Sequence, residues 1–443
     1  MSTSTRPTPP TKDGPDTLDQ VIGALAKALW RYRAEVALLA AVLGGFGLLE
    51  QKLGIPAAAA LTGAFVGLFV VVPGTRRGLS RLLTSAFWRR RIEAGLQVLA
   101  RERFGGRKFR VSRARRTAAV GATAVLHLPP GCAPSEVMAS AEHLASTLRV
   151  REVRLERDRK DASKLLLSVL VRDPFAKVPV PPPWAATGQA DLFAALPIGV
   201  DELGREVDVT LAGQNVLVGG EPGSGKSNLL QVFAAATAFD PKATLYCLDP
   251  KVVELSRWRR VARGSAGPEV AQAVAVLEEV TEEMGRRYGY LEAQGGAREL
   301  TRDDGFGLVV VLVDEAMVYL GDPDKKAAAE LSSLLRTLVG LGRAAGVVVV
   351  LATQKPSTDV LASSLRDNIS IRVAFRTTTR EASDVVLGSG WAAKGVSASD
   401  IDPTTPGVCY LLGEAATPKK LRCYYLSDED LDLVAARAEA LRR

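Results

Sequence analysis

A glycine-rich turn between an apolar run and a helical run is the stretch of this sequence best suited to chemistry. It extends from Asn215 to Ser227 and reads NVLVGGEPGSGKS. Glycines let backbone N–H groups point at phosphate oxygens, and the lysine and the hydroxyl that follow suit the β and γ phosphates and Mg²⁺. The start of the helix adds its positive dipole end. The predicted nucleotide-binding residues are Gly220, Glu221, Pro222, Gly223, Ser224, Gly225, Lys226, Ser227 and Asn228.

Two adjacent carboxylates end a second apolar run, which strengthens this interpretation. Leu308 to Glu315 reads LVVVLVDE, a pattern typical of a strand buried on both faces of a parallel sheet. At the end of such a strand, Asp314 would hold Mg²⁺ through water and Glu315 would polarise the attacking water. The sequence therefore predicts ATP and Mg²⁺ as cofactors, with Ser227 and Asp314 as the metal-binding residues.

The composition excludes several other kinds of site. With 443 residues and 47% hydrophobic side chains, the chain can form a large buried core. Its four cysteines lie far apart without a CxxC pair, which favours reduced core thiols over a zinc site or a disulfide framework. The only two histidines, His127 and His143, leave little room for a histidine-based metal centre or triad, so we interpret both as structural.

Two apolar runs near the start predict a membrane hairpin within residues 34–75. Val36–Leu49 has 14 residues and Ile55–Val72 has 18, and the second run is long enough to cross a bilayer. A run as short as the first also suits a buried core helix or an interfacial segment. Basic residues on both sides of the pair favour a place in the cytoplasmic membrane with both ends in the cytoplasm. Residues 1–33 are predicted to be a flexible tail and a basic flank.

The positive charge of the chain is concentrated in a juxtamembrane region, residues 76–116. This region holds fourteen basic and two acidic residues, a net charge of +12 against +8 for the whole chain. Within it apolar side chains recur at helical spacing, which predicts an amphipathic helix lying along the membrane surface. These side chains are Leu83, Phe87, Ile92, Leu96 and Leu99. Anionic lipid is the favoured partner of this region, and nucleic acid is the alternative.

The rest of the chain predicts two α/β units joined by a linker. Residues 117–172 read as a small domain with a strand at 118–128, a helix at 134–148 and strands at 150–156 and 164–171. Residues 173–190 are rich in proline and predict a stiff linker. From residue 191 to residue 443, strands alternate with helices, which predicts a doubly wound, mostly parallel sheet with ATP at the carboxyl ends of its strands.

Four further segments resemble signatures of the FtsK/SpoIIIE family. They are LDPKVVEL (248–255), EMGRRY (283–288), GRAAGVVVVLATQKPSTDVL (342–361) and IRVAFR (371–376). The resemblance covers Leu196 to Leu426 and implies a RecA-like P-loop ATPase. Members of this family are ring-forming motors that pump double-stranded DNA. The implied partners are therefore double-stranded DNA and further copies of the chain in a ring, expected to be a hexamer.

The resemblance also implies roles for residues outside the glycine-rich turn. It assigns Gln354 to sensing the γ phosphate, with a polar cap of a strand as the alternative. Ring motors complete each site with an arginine from the neighbouring subunit. The family motifs offer Arg286, Arg287, Arg343, Arg372 and Arg376, of which Arg287 and Arg376 are the predicted site residues. A structural salt bridge or a contact to DNA phosphate is the alternative for each.

Departures from the chromosomal members narrow the expected function. Those members end in a winged-helix domain that reads DNA sequence, whereas here only Ser427–Leu441 follows the motor, as one predicted helix. With its two candidate membrane passes, the chain resembles conjugative DNA-transfer proteins of actinobacterial plasmids and integrative elements, which implies element-specific accessory partners. The alternatives are a type VII secretion-like protein-export ATPase, a chromosome-partitioning translocase without a sequence-reading domain, and a membrane-anchored nucleotide switch.

Overall fold

A computed structural model of the protein describes residues 33–71, 73–117, 121–158, 160–176, 180–295, 297–354, 363–413 and 417–442. The chain divides into two compact units, Met1–Arg172 and Asp173–Arg443. The predicted flexible tail lies outside the described residues, apart from Arg33 at its end.

The first unit begins with three consecutive helices, α1 (Arg33–Leu53), α2 (Ile55–Val71) and α3 (Pro73–Arg103). Gly54, with a φ of 79°, separates the first two helices because glycine adopts this left-handed conformation without strain. Both predicted apolar runs are thus helical. Within the described part of the chain, however, no helix combines the length and the apolar character needed to cross a membrane. The predicted transmembrane hairpin is therefore not shown by the structure.

Helix α3 confirms the predicted helix, but three of the five side chains predicted to face the membrane are covered by protein, whereas Phe87 is 50% exposed. Ile92, Leu96 and Leu99 are buried in the core of the first unit. Gly95 lies so close to the rest of that core that an added Cβ would stand 2.7 Å from a methyl carbon of Leu148. This face of the helix is covered by protein, so these side chains are not free to insert into lipid.

A four-stranded antiparallel sheet packs against α3, with the strand order β1-β2-β4-β3. Its strands are β1 (Arg110–Thr117), β2 (Gly121–His127), β3 (Glu152–Arg157) and β4 (Lys164–Leu170), and helices α4 (Pro134–Met138) and α5 (Ala141–Leu148) connect β2 to β3. The small domain predicted for residues 117–172 is present. The residues before 117 contribute a helix and an edge strand to it. The sequence did not predict this strand, because the many charged side chains of β1 hide the alternation of apolar and polar residues.

Histidine and cysteine side chains occupy structural positions. His127 Nε2 lies 2.8 Å from Ser112 Oγ, and His143 Nε2 lies 2.7 Å from Glu102 Oε2. The cysteines are unbridged, and all but Cys132 are buried.

The second unit is built on a ten-stranded sheet in its described residues, with the order β6-β5-β14-β13-β12-β7-β11-β10-β8-β9. The strands are β5 (Leu196–Asp201), β6 (Glu206–Val209), β7 (Val216–Gly219), β8 (Thr244–Leu248), β9 (Gly264–Ala266), β10 (Val309–Val313), β11 (Val347–Thr353), β12 (Ile371–Phe375), β13 (Val408–Leu412) and β14 (Lys419–Cys423). The helices are α6 (Pro183–Thr187), α7 (Lys226–Phe239), α8 (Val270–Ala293), α9 (Ala316–Leu320), α10 (Lys325–Leu341), α11 (Ser363–Arg366), α12 (Arg380–Leu387) and α13 (Asp428–Leu441).

The sheet is mixed rather than mostly parallel. Strands β12, β7, β11, β10, β8 and β9 run parallel, as the alternation of strands and helices predicted. Strands β13, β14, β5 and β6 extend it with antiparallel pairs. Every residue of β7, β10 and β11 is buried, which is why these strands read as uninterrupted apolar runs.

The proline-rich segment at 173–190 belongs to the second unit and is anchored to it. Trp184 on α6 is buried, its ring meets Phe239 edge to face at 6.4 Å, and its indole N–H donates to the carbonyl of Pro197 at 3.2 Å. The prediction of a stiff linker is therefore wrong for 183–187, where prolines precede a short docked helix.

The final helix, α13, is part of the motor core. Ser427 and Asp430 form a capping box at its start, and Leu431, Val434 and Ala438 are buried. Beyond its end, the guanidinium of Arg442 donates to four backbone carbonyls around the end of α7, with distances of 2.7 to 3.2 Å. Thr237 and Ala238 lie in the last turn of α7, where carbonyls lack donors from a following helical turn, so Arg442 adds donors at this helix end.

We expect Arg442→Ala to destabilise the second unit, because it removes the guanidinium donors from four carbonyls around the end of α7. A cost of about 1–3 kcal/mol corresponds to a loss of roughly 2–8 °C in melting temperature. Scanning calorimetry measures this. Arg298→Ala, at an exposed arginine of the same unit, is the matched control and should leave the melting temperature unchanged. Equal melting temperatures for the two variants would contradict the capping role.

Candidate nucleotide site

The glycine-rich turn is fixed between strands β11 and β12. The N–H of Gly220 donates to the carbonyl of Thr353 at 3.2 Å, and the N–H of Glu221 donates to the carbonyl of Arg376 at 2.9 Å. The hydroxyl of Ser224 closes the turn on the carbonyl of Glu221 at 2.6 Å. The loop is thus held in shape by protein contacts alone, ready for an anion.

Two glycines meet where the loop enters α7. Gly225 has a φ of 115°, and an added Cβ would stand 2.7 Å from the Cα of Gly407. The N–H of Gly407 in turn donates to the carbonyl of Ser224 at 2.8 Å. This backbone contact leaves no room for a side chain at position 225. Lys226 follows as the first residue of α7 and is buried.

A cavity of about 560 Å³ opens over this loop, a volume in the range of small-molecule sites. On one side it is lined by predicted residues, namely Glu221, Pro222, Gly223, Gly225, Lys226, Ser227, Asn228 and Gln354. The opposite side consists of Glu254, Pro406, Gly407, Arg422, Cys423 and Tyr425. The predicted phosphate cradle therefore forms one wall of a pocket whose other wall comes mainly from the end of the chain.

Asn228 has a positioning role in addition to lining the cavity. Its amide nitrogen donates to the carbonyl of Tyr424 at 2.5 Å, and its amide oxygen accepts from the N–H of Leu426 at 3.1 Å. Both ends of the amide are thus used to join α7 to the segment after β14.

Asp314 is suited to hold a cation. It is buried, and among the described residues nothing donates a hydrogen bond to its Oδ1. Burial raises the pKa of this carboxyl to about 6, with Lys226 opposing the rise and Asp249 and Glu254 adding to it. A buried carboxylate oxygen without a donor fits Mg²⁺ or its water shell, which this ion normally retains. Asp314 and Ser227 are thus compatible with the predicted metal.

Glu315 is held in a strained conformation that fixes its carboxylate. Its φ and ψ of 47° and 57° are left-handed, which costs a non-glycine residue about 1–2 kcal/mol. One carboxylate oxygen accepts from the hydroxyl of Thr353 at 3.3 Å, and both accept from the N–H of Gln354 at 3.2 Å. Strain of this kind, maintained by surrounding contacts, is typical of functional sites.

The structure brings Gln354 together with Glu315. Its backbone contacts the carboxylate, and the residue lines the cavity above the glycine-rich loop. Because Gln354 contacts Glu315 and also lines the cavity, it can transmit a change in the bound nucleotide to Glu315. Gln354 and Lys226 line the same cavity, and Glu315 is hydrogen-bonded to Gln354.

The structure corrects the prediction for Arg287. This side chain is 4% exposed, pairs with Glu283 at 2.8 Å, and donates to the carbonyls of Gly307 and Ala345 at 2.9 and 3.0 Å. A guanidinium so fully bonded inside its own subunit does not reach a neighbour. Its role is to join α8 to the ends of two loops.

The other four arginines fall into two groups. Arg376 pairs with Glu221 of the glycine-rich loop at 2.6 Å, and Arg372 donates to the carbonyls of Arg366 and Ile369, so both act within the subunit. Arg286 and Arg343 also pair within the subunit, with Glu283 at 2.6 Å and Glu299 at 4.0 Å, but their side chains are 65% and 72% exposed. Of the five arginines, these two are therefore the ones best exposed to reach a neighbouring subunit.

Sequence reasoning missed several residues of the site. Asp249 is buried and accepts from the N–H groups of Lys251, Val252 and Leu255, so it shapes the turn after β8. The sequence did point to this residue, because Asp249 is the first residue of the DPK segment at 249–251 that resembles a family signature. Arg422 and Tyr425 had no signal, because nothing in the local pattern of β14 indicates that its end forms a wall of the cavity.

We expect protons to compete with Mg²⁺ at Asp314. Since the pKa of this carboxyl is raised to about 6, it is ionised above that pH and becomes neutral below it. The Mg²⁺ concentration for half-maximal nucleotide hydrolysis should therefore rise as the pH falls from about 7.5 to 5.5, approaching tenfold per unit below the pKa. Mg²⁺ titrations at each pH measure this. An unchanged requirement across the range, or the same pH dependence in Asp314→Asn, would contradict the assignment.

Comparison with known proteins agrees with this site. A family model described as the FtsK/SpoIIIE family matches residues 191–388. DNA translocase FtsK of Corynebacterium glutamicum is 29% identical over 255 residues, which are 52% of this chain and 26% of that protein. DNA translocase SftA of Bacillus subtilis is 27% identical over 270 residues, which are 57% of this chain and 27% of that protein. The chain thus spans about a quarter of the length of these relatives.

A solved structure shares the fold over most of the chain. The pCW3 conjugation coupling protein TcpA, in its monomer form with ATPγS, is similar with a TM-score of 0.52 and 18% identity, covering 80% of this chain and 99% of that one. At this identity the likeness concerns the fold alone. Residues 191–388 thus form a domain of the FtsK/SpoIIIE type.

Proposed function

We propose that this chain is an ATP-driven translocase of double-stranded DNA. The convergence of Lys226, Asp314, Glu315 and Gln354 beside one cavity carries the proposal. Relatives that share the domain are named DNA translocases, which supports DNA as the substrate.

In this proposal the chain's own residues position the reactants for phosphoryl transfer to water. The loop N–H groups and Lys226 bind the phosphates, and Ser227 and Asp314 hold Mg²⁺, which neutralises developing charge. Glu315, fixed by its contacts to Thr353 and Gln354, orients the attacking water. The neutral amide of Gln354 faces the same space and responds to loss of the γ phosphate.

The working form in this proposal is a ring of identical subunits, expected to be a hexamer. Transition-state charge on the transferred phosphoryl group is stabilised in ring motors by an arginine from the next copy. Because Arg286 and Arg343 are far more exposed than Arg287 and Arg376, they are the candidates for this role.

We place the protein at the cytoplasmic membrane, moving plasmid or integrative-element DNA during conjugation with element-specific accessory proteins. The apolar composition of residues 36–49 and 55–72 supports the membrane location, and residues 36–49 and 55–71 of these runs are helical. The fold likeness to a conjugation coupling protein over most of both chains supports the conjugative role.

Hydrolysis with and without duplex DNA tests the proposed activity. Wild-type protein should be stimulated by arbitrary duplex DNA. Lys226→Ala should weaken ATP binding, whereas Glu315→Gln should retain binding and lose at least ~100-fold in rate, because the attacking water is no longer polarised. Glu330→Gln, at an exposed glutamate on α10, is the control and should hydrolyse normally.

Three outcomes would count against this assignment. Wild-type turnover in Glu315→Gln would remove Glu315 as the base. A wild-type rate indifferent to DNA but raised by a secreted protein substrate would favour the protein-export alternative, and a rate indifferent to both would favour a nucleotide switch.

Extraction from cell membranes tests the membrane anchor. Burial of apolar side chains is not screened by salt, whereas contacts of the basic region with lipid headgroups are. The full-length protein should therefore stay with the membrane in about 1 M NaCl and at alkaline pH, and should be released by detergent. Release by salt alone would mean a peripheral, electrostatic attachment.

A further inference from the structure

A strip of exposed cations follows the end of α3 and the edge strand β1 in the first unit. It comprises Arg101, Arg103, Arg107, Lys108, Arg110, Arg113 and Arg115, all of them exposed, and is called the basic edge below. The one acidic residue in this stretch, Glu102, is engaged with His143 at 2.7 Å. Within the described residues, none of the seven cations has an ion-pair partner, so their charge is available to a ligand.

A β-bulge places Arg110 and Arg115 of β1 on one face. Ser112 pairs with Val125, but Arg115 pairs with Thr123, so β1 contains one residue more than β2 in this interval. Without that extra residue, regular alternation would bring Ala114 opposite Thr123. The bulge instead sets Arg115 on the same face as Arg110, which pairs with His127. This face is opposite to the one where Val111 and Leu126 are buried.

The spacing of the two arginines suits a duplex. Their partners are four residues apart on β2, which corresponds to roughly 13 Å along the strand and is comparable to the ~12 Å width of the major groove. Arg113 lies between them at the bulge with a φ of 50°. Bulges that re-aim side chains in this way are typical of functional sites in sheets.

A cavity of about 550 Å³ continues the basic edge toward α3. It is lined by Arg101, Arg107 and Lys108, and its only acidic lining residue, Glu93, is paired with Arg89 at 2.9 Å. Arg107 is held in place, since one of its terminal nitrogens donates to the carbonyl of Gly131 at 2.8 Å. A concave, cationic pocket with an oriented guanidinium fits a phosphate group.

The surroundings favour nucleic acid over a lipid surface. Most apolar side chains of α3 near the basic edge are not available for insertion, because Ile92, Leu96 and Leu99 are in the core and Val98 is the exposed one among residues 92–100. Phe104 and Phe109 stack edge to face on each other at 5.4 Å. Six of the seven cations are arginines, whose planar forks bind phosphate through paired hydrogen bonds, whereas lysine acts as a point charge.

We propose that the basic edge is a second binding surface for the phosphate backbone of double-stranded DNA, separate from the motor. It would hold the duplex through charge and hydrogen bonds without reading sequence. This inference rests on the proposed function for the identity of the duplex, but it concerns binding by the first unit and does not require ATP hydrolysis.

Charge reversal in the full-length protein tests the proposal. The variant Arg110→Glu, Arg115→Glu is compared with Arg157→Glu, Lys160→Glu, which changes the net charge equally beside the opposite edge strand, β3. Affinity for a random duplex of about 40 base pairs is measured by fluorescence anisotropy at several salt concentrations. The first variant should bind at least ~10-fold more weakly, and the slope of log K against log salt should fall by about two, because each phosphate contact contributes about 0.9. The control variant should remain within about twofold of wild type at one fixed salt concentration.

Further measurements separate the possible failures. Equal DNA affinities for the two variants would overturn the proposal. If Arg110→Glu, Arg115→Glu lost binding to phosphatidylglycerol vesicles but kept its DNA affinity, the basic edge would be a lipid-binding surface and the proposal would also be overturned. Arg110→Gln, Arg115→Gln, with a melting temperature equal to wild type, serves if the reversed variant does not fold, and it should weaken DNA binding in the same direction. Hydrolysis without DNA should be unchanged in every variant. Wild-type protein that binds duplex DNA but is not stimulated by it would contradict the proposed motor and leave the basic edge supported.

Discussion

Parallel registration of three buried strands, β7, β11 and β10, determines where the reactive groups of the second unit lie. Gly219 pairs with Thr353, and Val313 pairs with Leu351, so the three strands end at nearly the same level of the sheet. The loop at Gly220, the pair Asp314 and Glu315, and Gln354 therefore leave the sheet at one edge. Because every residue of these strands is buried, a slip in register would expose apolar side chains to water or bury polar ones.

The site gathers several arrangements that are unfavourable by themselves. Asp314 is buried with an oxygen that has no donor, Glu315 is left-handed, and Gly225 touches the backbone of Gly407. Each persists because the surrounding core over-determines it. A bound cation would relieve the first, since it compensates the negative charge of the carboxylate. The geometry is thus already shaped for the ligand, and less reorganisation is needed when the ligand binds.

The last part of the chain stabilises the first part of the nucleotide site. Asn228 on α7 joins the segment after β14, and Arg442 caps the far end of the same helix. Strand β14 and the residues that follow it also supply Cys423 and Tyr425 to the cavity wall. The helix that begins at the phosphate cradle is therefore held at both ends by the C-terminal segment. In the loop itself, the pair of Glu221 and Arg376 ties the cradle to β12.

The sequence by itself determined the chemistry of the nucleotide site and the strands that carry it. Residues 215–227 and 308–315 combine strong local patterns with motif chemistry, so the cradle, Asp314, Glu315 and the parallel core were predictable from neighbours along the chain. Only the tertiary structure decided what depends on residues far apart in sequence. It buried Arg287 among the carbonyls of two distant loops and brought Tyr425 to the cavity. It also packed the apolar face of α3 on a sheet. Local periodicity reports that a face is apolar or a charge is present, but the partner that covers the face or binds the charge is set by long-range packing.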